Sequence, residues 1–407
     1  MESDATKLDL DRRARRVLAQ APNWALASVD EPDTPVPRFF NRGVGAWLYD
    51  ESGAAYLDLS MARGAVILGY GNPAITKIIH AHAPNGITTS LRHPAEVDVA
   101  ELITQSLPCA ETVAFGKNGS DACTAAIRIA RALTGRTVVL SSGYHGFHDW
   151  YAGSLPGMEG FSPHLARELI SFDLNDGPGL ERLAQEYRTS LACIIVEPAH
   201  RTIASPAFLR LARRLADATG SLLVFDEVVT AFRVGLGGYQ SLTGVLPDLV
   251  CLGKAMANGY PLSAVAGPRH VMDGLRRTFF SMTYQTDSLG FVIARACLAE
   301  LRERNVPQRL AEFGDALRVA FDSAAASAKI PARACGPAAR LDLCFPPAGG
   351  LTSKQQEQIF LRTLMEARVL PTLSVFPCDA LTADDVALAS RVFSLAMERI
   401  SERKSSG

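Results

Sequence analysis

The residues best suited to chemistry stand directly after predicted strands. Asp226 follows the apolar run Ser221–Phe225, and Lys254 follows Asp248–Leu252 after a single glycine. Ligands of parallel sheets bind at the carboxyl ends of the strands, where such side chains meet. A lysine amine there can form an imine with an aldehyde cofactor, and a neighbouring carboxylate can keep a pyridine nitrogen protonated.

A second feature of the same kind is a small-residue turn before a helix. The segment Gly116–Asp121 follows the predicted strand Thr112–Phe115 and leads into the predicted helix Asp121–Leu133. Small residues let a phosphate approach the backbone, and a helix N-terminus offers free N–H groups to it. Glu197, after the run Ala192–Val196, adds a carboxylate at the same edge.

Each of these features alone has an ordinary structural explanation. A turn with Asn and Ser before a helix is a common N-cap, and a carboxylate at a strand end can belong to a salt bridge. A lysine after a glycine is common in exposed loops. The joint arrangement therefore carries the functional interpretation.

The elements that must position these residues alternate between strand and helix. Apolar strand-like runs separated by helical lengths predict a mostly parallel sheet covered on both faces. A hairpin is predicted at 46–59, with its turn at Asp50–Gly53, and short strands are predicted at Arg340–Phe345 and Val369–Leu373. Further predicted strands and helices are Thr137–Leu140, Glu96–Gln105, Ala207–Thr219 and Phe291–Arg304.

Length and composition limit the class of protein. The 407 residues, nearly half of them hydrophobic, can bury one large core and a smaller one. The net charge of -1 gives no reason to expect nucleic acid or a membrane surface as a partner. Eight cysteines without a C-x-x-C pair, and a polar N-terminus, predict no metal site and a cytoplasmic protein with reduced thiols.

Taken together, these blocks resemble the fold-type I, class III pyridoxal-phosphate (PLP) enzymes, closest to the branch around glutamate-1-semialdehyde aminomutase. The resemblance runs in family order over nearly the whole chain. It implies a large domain with a mostly parallel sheet of the seven-stranded type and a small α+β domain formed by both termini. The expected division is an N-terminal segment at 1–70, a PLP-binding domain at 71–300 and a C-terminal domain at 301–407. The matching stretches are Gly45–Asp50, Phe115–Ala122, Ala126–Arg131, Thr134–Arg136, Gly143–Trp150, Val196–Pro198, Phe225–Val234 and Pro247–Lys254.

The resemblance also implies roles for individual residues. Lys254 would carry the cofactor as a Schiff base and move protons, and Asp226 would pair with the ring nitrogen. Tyr144 would lie against one face of the ring and Val228 against the other. Thr283 would reach the phosphate of a partner subunit, which implies a homodimer with shared active sites. The predicted cofactor-binding residues are Gly119, Ser120, Tyr144, His145, Glu197, Asp226, Val228, Lys254 and Thr283, and the predicted catalytic residues are Lys254, Asp226 and Tyr144.

The predicted function is amino-group transfer between a small-molecule amino donor and a carbonyl acceptor, with a sugar or natural-product intermediate as a candidate acceptor. The alternative with the same residues is an aminomutase or epimerase of the glutamate-1-semialdehyde aminomutase type. A non-catalytic binding module is a third interpretation, which the imine-forming lysine disfavours. The donor, the acceptor and the stereochemistry stay open.

Departures from the family pattern narrow the substrate. The aminomutase carries an arginine for the substrate carboxylate near the position of Ser28, where this chain has none, so glutamate semialdehyde is not the expected substrate. Arg38 and Arg42 lie nearer the strand and are candidate substrate contacts. Val229 replaces the glutamine of many ω-amino-acid transaminases, which argues against the ornithine and γ-aminobutyrate branch.

Overall fold

The structure of the chain is a computed structural model. Its large sheet and the helices around it confirm the predicted α/β fold class. No helix within the part of the chain that the structure describes is long and apolar enough to cross a lipid bilayer. The described residues are 10, 12–14, 16–19, 39–162 and 164–405.

The chain divides into two compact units. The large unit comprises Gly64–Ile67 and Pro73–Arg309, and the small unit comprises Met1–Arg63, Leu68–Asn72 and Leu310–Gly407. Both ends of the chain therefore contribute to the small unit, as the resemblance implied. The sequence-based boundaries at 70 and 300 stay a prediction.

A seven-stranded sheet forms the centre of the large unit, in the order β4-β10-β9-β8-β7-β5-β6. Neighbouring strands from β9 to β6 are parallel, and β10 alone runs antiparallel to its neighbours β4 and β9. The central strands are apolar and wholly buried, as a sheet covered on both faces requires. The strands are β4 Thr112–Gly116, β5 Val138–Ser142, β6 Leu169–Ser171, β7 Leu191–Val196, β8 Leu222–Asp226, β9 Leu249–Leu252 and β10 Ser263–Gly267.

Helices of the large unit cover this sheet. Their ends follow local sequence signals: the Ser205 hydroxyl caps the helix that starts at Pro206, and Gly135 and Gly220 end two helices in the left-handed region. The helices are α1 Pro73–His82, α2 Ala95–Ser106, α3 Gly119–Thr134, α4 Asp149–Ala152, α5 Leu165–Glu168, α6 Gly177–Glu186, α7 Pro206–Thr219, α8 Gly238–Thr243, α9 Arg269–Met272 and α10 Ser288–Glu303. Single 3₁₀ turns occur at Ala83–Asn85, Lys254–Ala257, Asp273–Arg277 and Thr283–Thr286.

The register of the sheet brings the ends of five strands to one edge. Asp226 pairs with Cys251, so the ends of β8 and β9 are level, and Val196 of β7 pairs with Phe225. Ser142 of β5 pairs in turn with Val196. The antiparallel β10 lies between β9 and β4, so β4 points the same way as β9 and ends at this edge too. The predicted convergence of the strand ends is confirmed.

The small unit contains two three-stranded antiparallel sheets, β1-β2-β3 and β11-β12-β13. Four phenylalanines, Phe321, Phe345, Phe360 and Phe393, pack ring against ring in its core. Its strands are β1 Phe40–Val44, β2 Trp47–Asp50, β3 Ala55–Leu57, β11 Arg333–Cys335, β12 Leu341–Cys344 and β13 Ser374–Val375. Its helices are α12 Ser353–Glu366, α13 Ala383–Ser405 and most of α11 Val306–Ser327, and a left-handed turn spans Met61–Gly64.

One predicted strand is wrong and five strands were not predicted. Val369–Leu373 is not a strand, because Val369 forms only an isolated bridge to Leu57 and the paired segment is Ser374–Val375. The strands absent from the sequence-based prediction are β1, β6, β10, β11 and β13. The hairpin of β2 and β3 is confirmed, with its turn held by the Asp50 carboxylate.

Candidate active site

Asp226 is held in one orientation at the end of β8, with only 4% of its surface exposed. Its Oδ2 accepts hydrogen bonds from His145 Nδ1 at 2.7 Å and from Cys123 Sγ at 3.3 Å. Its Oδ1 accepts the backbone N–H of Val228 at 3.1 Å. Three donors from three different segments therefore fix the plane of this carboxylate.

The His145 imidazole orients Asp226 from a fully buried position. The ring stacks on Trp150, with a centroid distance of 6.3 Å, and meets the ring of Tyr151 edge to face at 5.4 Å. Within the described residues its Nε2 has no hydrogen-bond partner. A buried N–H without an acceptor is costly, so this geometry places the ring hydrogen on Nδ1, where it reaches Asp226.

The Cys123 thiol is the second donor to Asp226, and the sequence analysis missed it. A hydrogen bond with the Cys251 thiol, burial and the Asp226 charge raise the pKa of Cys123 well above its usual value, so the thiol keeps its proton. Cys123 lies three residues after Ser120 on α3, which puts both side chains on the same helix face. The three-residue spacing from Ser120 is the sequence signal that could have identified Cys123 as a residue of the site.

The donors that surround Asp226 also form the one group of potential metal ligands found among the described residues. Cys123 Sγ, His145 Nδ1 and Asp226 Oδ2 lie within 4.8 Å of one another. The two hydrogen bonds to Oδ2 already account for that proximity. The group therefore serves to orient the carboxylate, and we assign no metal to it.

Two backbone N–H groups are available for an anion at the start of α3. The Asp121 carboxylate accepts the N–H groups of Lys117 and Asn118, at 2.9 and 2.7 Å. The N–H groups of Gly119 and Ser120 donate to no acceptor in the part of the chain that the structure describes. These orphan donors, with the helix dipole behind them, form an anion cradle that could hold a phosphate.

The Ser120 hydroxyl completes this cradle. Its Oγ accepts the backbone N–H of Phe147 at 3.2 Å, which leaves its own O–H free to donate. The chain passes so close here that a Cβ on Gly146 would lie 2.2 Å from Ser120 Oγ, and Gly146 has a φ of +103°. Glycine is required at position 146 for both reasons.

Val228 packs between the phosphate cradle and the lysine loop. A Cβ on Gly119 would lie 2.7 Å from Val228 Cγ1, and a Cβ on Gly253 would lie 3.4 Å from the same atom. The predicted ring-packing residue thus contacts the backbone on both sides. Gly253 immediately precedes Lys254. The packing of Val228 against Gly253 therefore connects the loop that follows Asp226 with the lysine.

Lys254 starts a 3₁₀ turn directly after β9 and is half-buried. Its φ of +43° lies in the left-handed region, which non-glycine residues seldom adopt. Such strain persists only where the surrounding structure imposes it, and it is concentrated at functional sites. The lysine therefore occupies an imposed position at the same sheet edge as Asp226.

Tyr144 and Glu197 lie at the ends of the neighbouring strands β5 and β7. The Tyr144 ring is 61% exposed and meets the ring of Tyr151 edge to face at 5.6 Å. Glu197 Oε2 accepts the Tyr144 backbone N–H at 3.1 Å, and a Cβ on Gly143 would lie 2.4 Å from the Glu197 side chain. Burial raises the pKa of Tyr151 to about 12, so its hydroxyl donates to the Gly143 carbonyl oxygen at 2.9 Å.

Two further positions were singled out from the sequence. Thr283 opens the exposed turn Thr283–Thr286 that precedes α10, and contact with a partner's phosphate stays a prediction. Arg42, in the small unit, places its guanidinium 4.2 Å from the centre of the Tyr49 ring. Arg38 and Ser28 lie outside the described residues.

Comparison with known proteins agrees with this architecture. The model of the aminotransferase class-III family matches residues 28–333. A glutamate-1-semialdehyde 2,1-aminomutase of Roseiflexus castenholzii is 36% identical over 315 residues, which cover 73% of each chain.

Solved structures resemble the whole chain. The PLP internal aldimine form of the Sphingopyxis sp. MTA144 FumI protein superposes with a TM-score of 0.90 at 27% identity, covering 98% of this chain and 97% of that one. An omega-transaminase from Sphaerobacter thermophilus gives 0.86 at 26% identity, covering 97% and 98%. The family model and the 36% identical relative together show that this chain belongs to the class-III aminotransferase family.

Proposed function

We propose that the protein is a PLP-dependent aminotransferase that moves an amino group from a small-molecule donor to a small-molecule carbonyl acceptor. The observation that carries this proposal is the buried Asp226 carboxylate, held by His145 and Cys123 at the sheet edge where Lys254 also stands. A buried anion at this place suits a cationic ring nitrogen. Lys254 supplies the amine that the chemistry requires.

The residues of the chain fit the phosphate, the ring nitrogen and the aldehyde of PLP. When bound, this cofactor supplies a pyridine ring that accepts the electrons of a substrate carbon. Gly119 and Ser120 would hold the phosphate through two N–H groups and one hydroxyl, and Asp226 would keep the proton on the ring nitrogen. Tyr144 and Val228 would pack against the ring.

Lys254 carries out the proton transfer. Its Nζ would hold the cofactor, and as a free amine it would move a proton at the reacting carbon of the substrate. The strained φ of Lys254 and the packing of Val228 beside Gly253 keep this residue at the sheet edge. Glu197 fixes the backbone of Tyr144 and thereby the position of its ring.

Mass spectrometry of the products from a panel of amino donors and carbonyl acceptors tests the proposal. Purified protein with PLP should aminate an acceptor only when an amino donor is present, and keto-sugars belong in the panel. The donor should be recovered as its keto product in equal amount. Absence of exchange with every pair would count against the proposal.

An aminomutase or epimerase is the second candidate, because a relative that is 36% identical is named glutamate-1-semialdehyde 2,1-aminomutase. The two functions differ in their need for a second substrate. Conversion of one amino compound to its isomer, with no keto acid and no other amine added, would favour the mutase.

We further propose a homodimer with shared active sites. Three large side chains near the turn Thr283–Thr286 are exposed, Leu91 by 79%, Phe279 by 80% and Tyr284 by 62%. The Thr286 hydroxyl donates to the Thr89 carbonyl oxygen at 2.7 Å, which joins the segment of Leu91 to this turn. An exposed apolar surface of this kind is typical of an interface, and a second copy of the chain is its proposed occupant.

A cytoplasmic location is also a proposal. All eight cysteines are free thiols, and six of them are buried. Free thiols in this number suit a reducing compartment.

A further inference from the structure

Lys117 and Asp287 form a nearly buried ion pair that the proposed mechanism does not use. Lys117 Nζ lies 2.7 Å from Asp287 Oδ2, and the two side chains are only 14% and 13% exposed. The residues are 170 positions apart in the sequence. The pair is therefore a specific link between two separate segments.

One end of the link belongs to the phosphate cradle. Lys117 directly precedes Asn118 and the two free N–H groups of Gly119 and Ser120. Its own N–H donates to Asp121, inside the turn that starts α3. A shift of the Lys117 backbone would thus move the donors that hold the phosphate.

The other end belongs to the exposed turn. Asp287 follows Thr283–Thr286 directly and caps α10 by accepting the N–H of Leu289 at 3.0 Å. It also forms a bridge with Thr88, next to the segment that carries Leu91. Asp287 therefore fixes the surface proposed to meet a second subunit.

Helix capping alone does not account for the lysine. An aspartate caps a helix without a cation, and bringing an ammonium group into a nearly dry site is costly unless it is paired. A different ion pair of α10, Arg295 with Asp98 at 2.6 Å, is about half exposed and joins α10 to α2. It provides a matched control.

We propose that the Lys117–Asp287 pair couples phosphate binding in one subunit to association with the second subunit. This inference rests on the proposed function, since it takes PLP as the ligand and a homodimer as the assembly. Bound phosphate fixes the backbone at the start of α3. Through the ion pair with Asp287, this also fixes the turn Thr283–Thr286, and the fixed turn favours association of the two subunits. The coupling is reciprocal, because dimerisation must raise phosphate affinity by the same factor.

The test is the dimer dissociation constant, measured by analytical ultracentrifugation without ligand, with PLP and with pyridoxal, which lacks the phosphate. For the wild type, PLP should tighten the dimer on the order of ten-fold, and pyridoxal should have little effect. Lys117→Met should bring the effect of PLP on the dimer dissociation constant closer to that of pyridoxal. Arg295→Met should keep the wild-type ratio of the dimer dissociation constants measured without ligand and with PLP.

Asp287→Asn is the second variant, because asparagine still caps a helix but carries no charge. It should also reduce the tightening of the dimer by PLP while α10 stays folded. This variant decides the question if Lys117→Met does not fold. A folded Lys117→Met or Asp287→Asn protein with the full wild-type ratio would overturn the inference alone. A wild type that binds no PLP would overturn the proposed function as well.

Discussion

At the scale of single residues, the proposed function depends on how Asp226 is held. Its two oxygens accept from His145, Cys123 and Val228, so the carboxylate has a fixed plane before any ligand binds. Preorganised charge of this kind needs no rearrangement when a cation arrives. The sequence predicts Asp226 from its place after a strand. It does not predict His145 as its partner, because that contact spans 81 residues.

Asp226→Asn should bind PLP more weakly and lose most of its turnover. The amide replaces an anion opposite the ring nitrogen, and loss of one charge-assisted hydrogen bond costs about 1.5–3 kcal/mol, or roughly 10- to 100-fold in affinity. Titration of apoprotein with PLP gives the dissociation constant. Cys123→Ala, which keeps the charge, should have a smaller effect. Unchanged affinity in Asp226→Asn would refute the assigned pairing.

At the scale of elements, two glycine-lined contacts set the geometry of the site. The start of α3 approaches Val228 so closely that no side chain fits at position 119, and the β9 loop approaches the same valine from Gly253. The phosphate cradle and the lysine are thus positioned by one side chain on the loop after β8. Predictions at this scale concern packing and the ionisation of buried groups.

Gly119→Ala should weaken PLP binding, because its Cβ would lie 2.7 Å from Val228 Cγ1 and push α3 away from the phosphate. Val228→Ala should create the missing space. In a double-mutant cycle, the second substitution should therefore cost less in the Gly119→Ala background than alone. Strictly additive losses in PLP affinity would contradict the steric explanation.

Glu227 should make the stability of the large unit fall as pH rises. Burial raises the pKa of this carboxyl from 4.5 to about 7 in the folded state, although its Oε2 accepts from the Tyr239 N–H and the Thr230 hydroxyl. Between pH 4.5 and 7 only the folded state keeps the proton, so increasing pH lowers the free energy of unfolding, by about 3 kcal/mol in all.

Thermal midpoints from pH 4.5 to 8 test this effect. Glu227→Gln cannot ionise, so its midpoint relative to the wild type should rise up to pH 7 and then level off. Glu303→Gln, on an exposed position of α10, is the control for removal of a carboxylate. A constant difference between Glu227→Gln and the wild type across this range would contradict the prediction.

The sequence predicts the strands with long apolar runs but leaves out several strands that are short or rich in small residues. β7 is a wholly apolar run and was found, whereas β6 has three residues and β10 reads Ser-Ala-Val-Ala-Gly. Small residues suit the crowded interior between β4 and β9, but they lack the β-branched signal of a strand. The antiparallel direction of β10 depends on tertiary pairing and could not be read from the chain.

At the scale of the whole molecule, the proposed dimer would complete the site. The exposed side chains of Leu91, Phe279 and Tyr284 border the turn that carries Thr283, so a second copy covering them would bring that turn close to a subunit boundary. The family resemblance predicts this arrangement. Composition and motifs alone do not specify a subunit interface, which depends on exposed residues from segments far apart in sequence.

Phe279→Glu should weaken the dimer at least ten-fold, as expected when a charge replaces a large side chain at the centre of an interface. Sedimentation velocity over a concentration series measures the change. Leu242→Glu, at a position on α8 that is also exposed, should leave the association intact. A dimer of unchanged strength in Phe279→Glu would exclude this surface.

The most direct test of the account is the site at which the cofactor becomes covalently attached. Protein loaded with PLP should be reduced with borohydride, digested and mapped by mass spectrometry. The account predicts a phosphopyridoxyl group on Lys254, and none in Lys254→Ala, which should also lose nearly all turnover. Labelling of another lysine, or no label in the wild type, would contradict it.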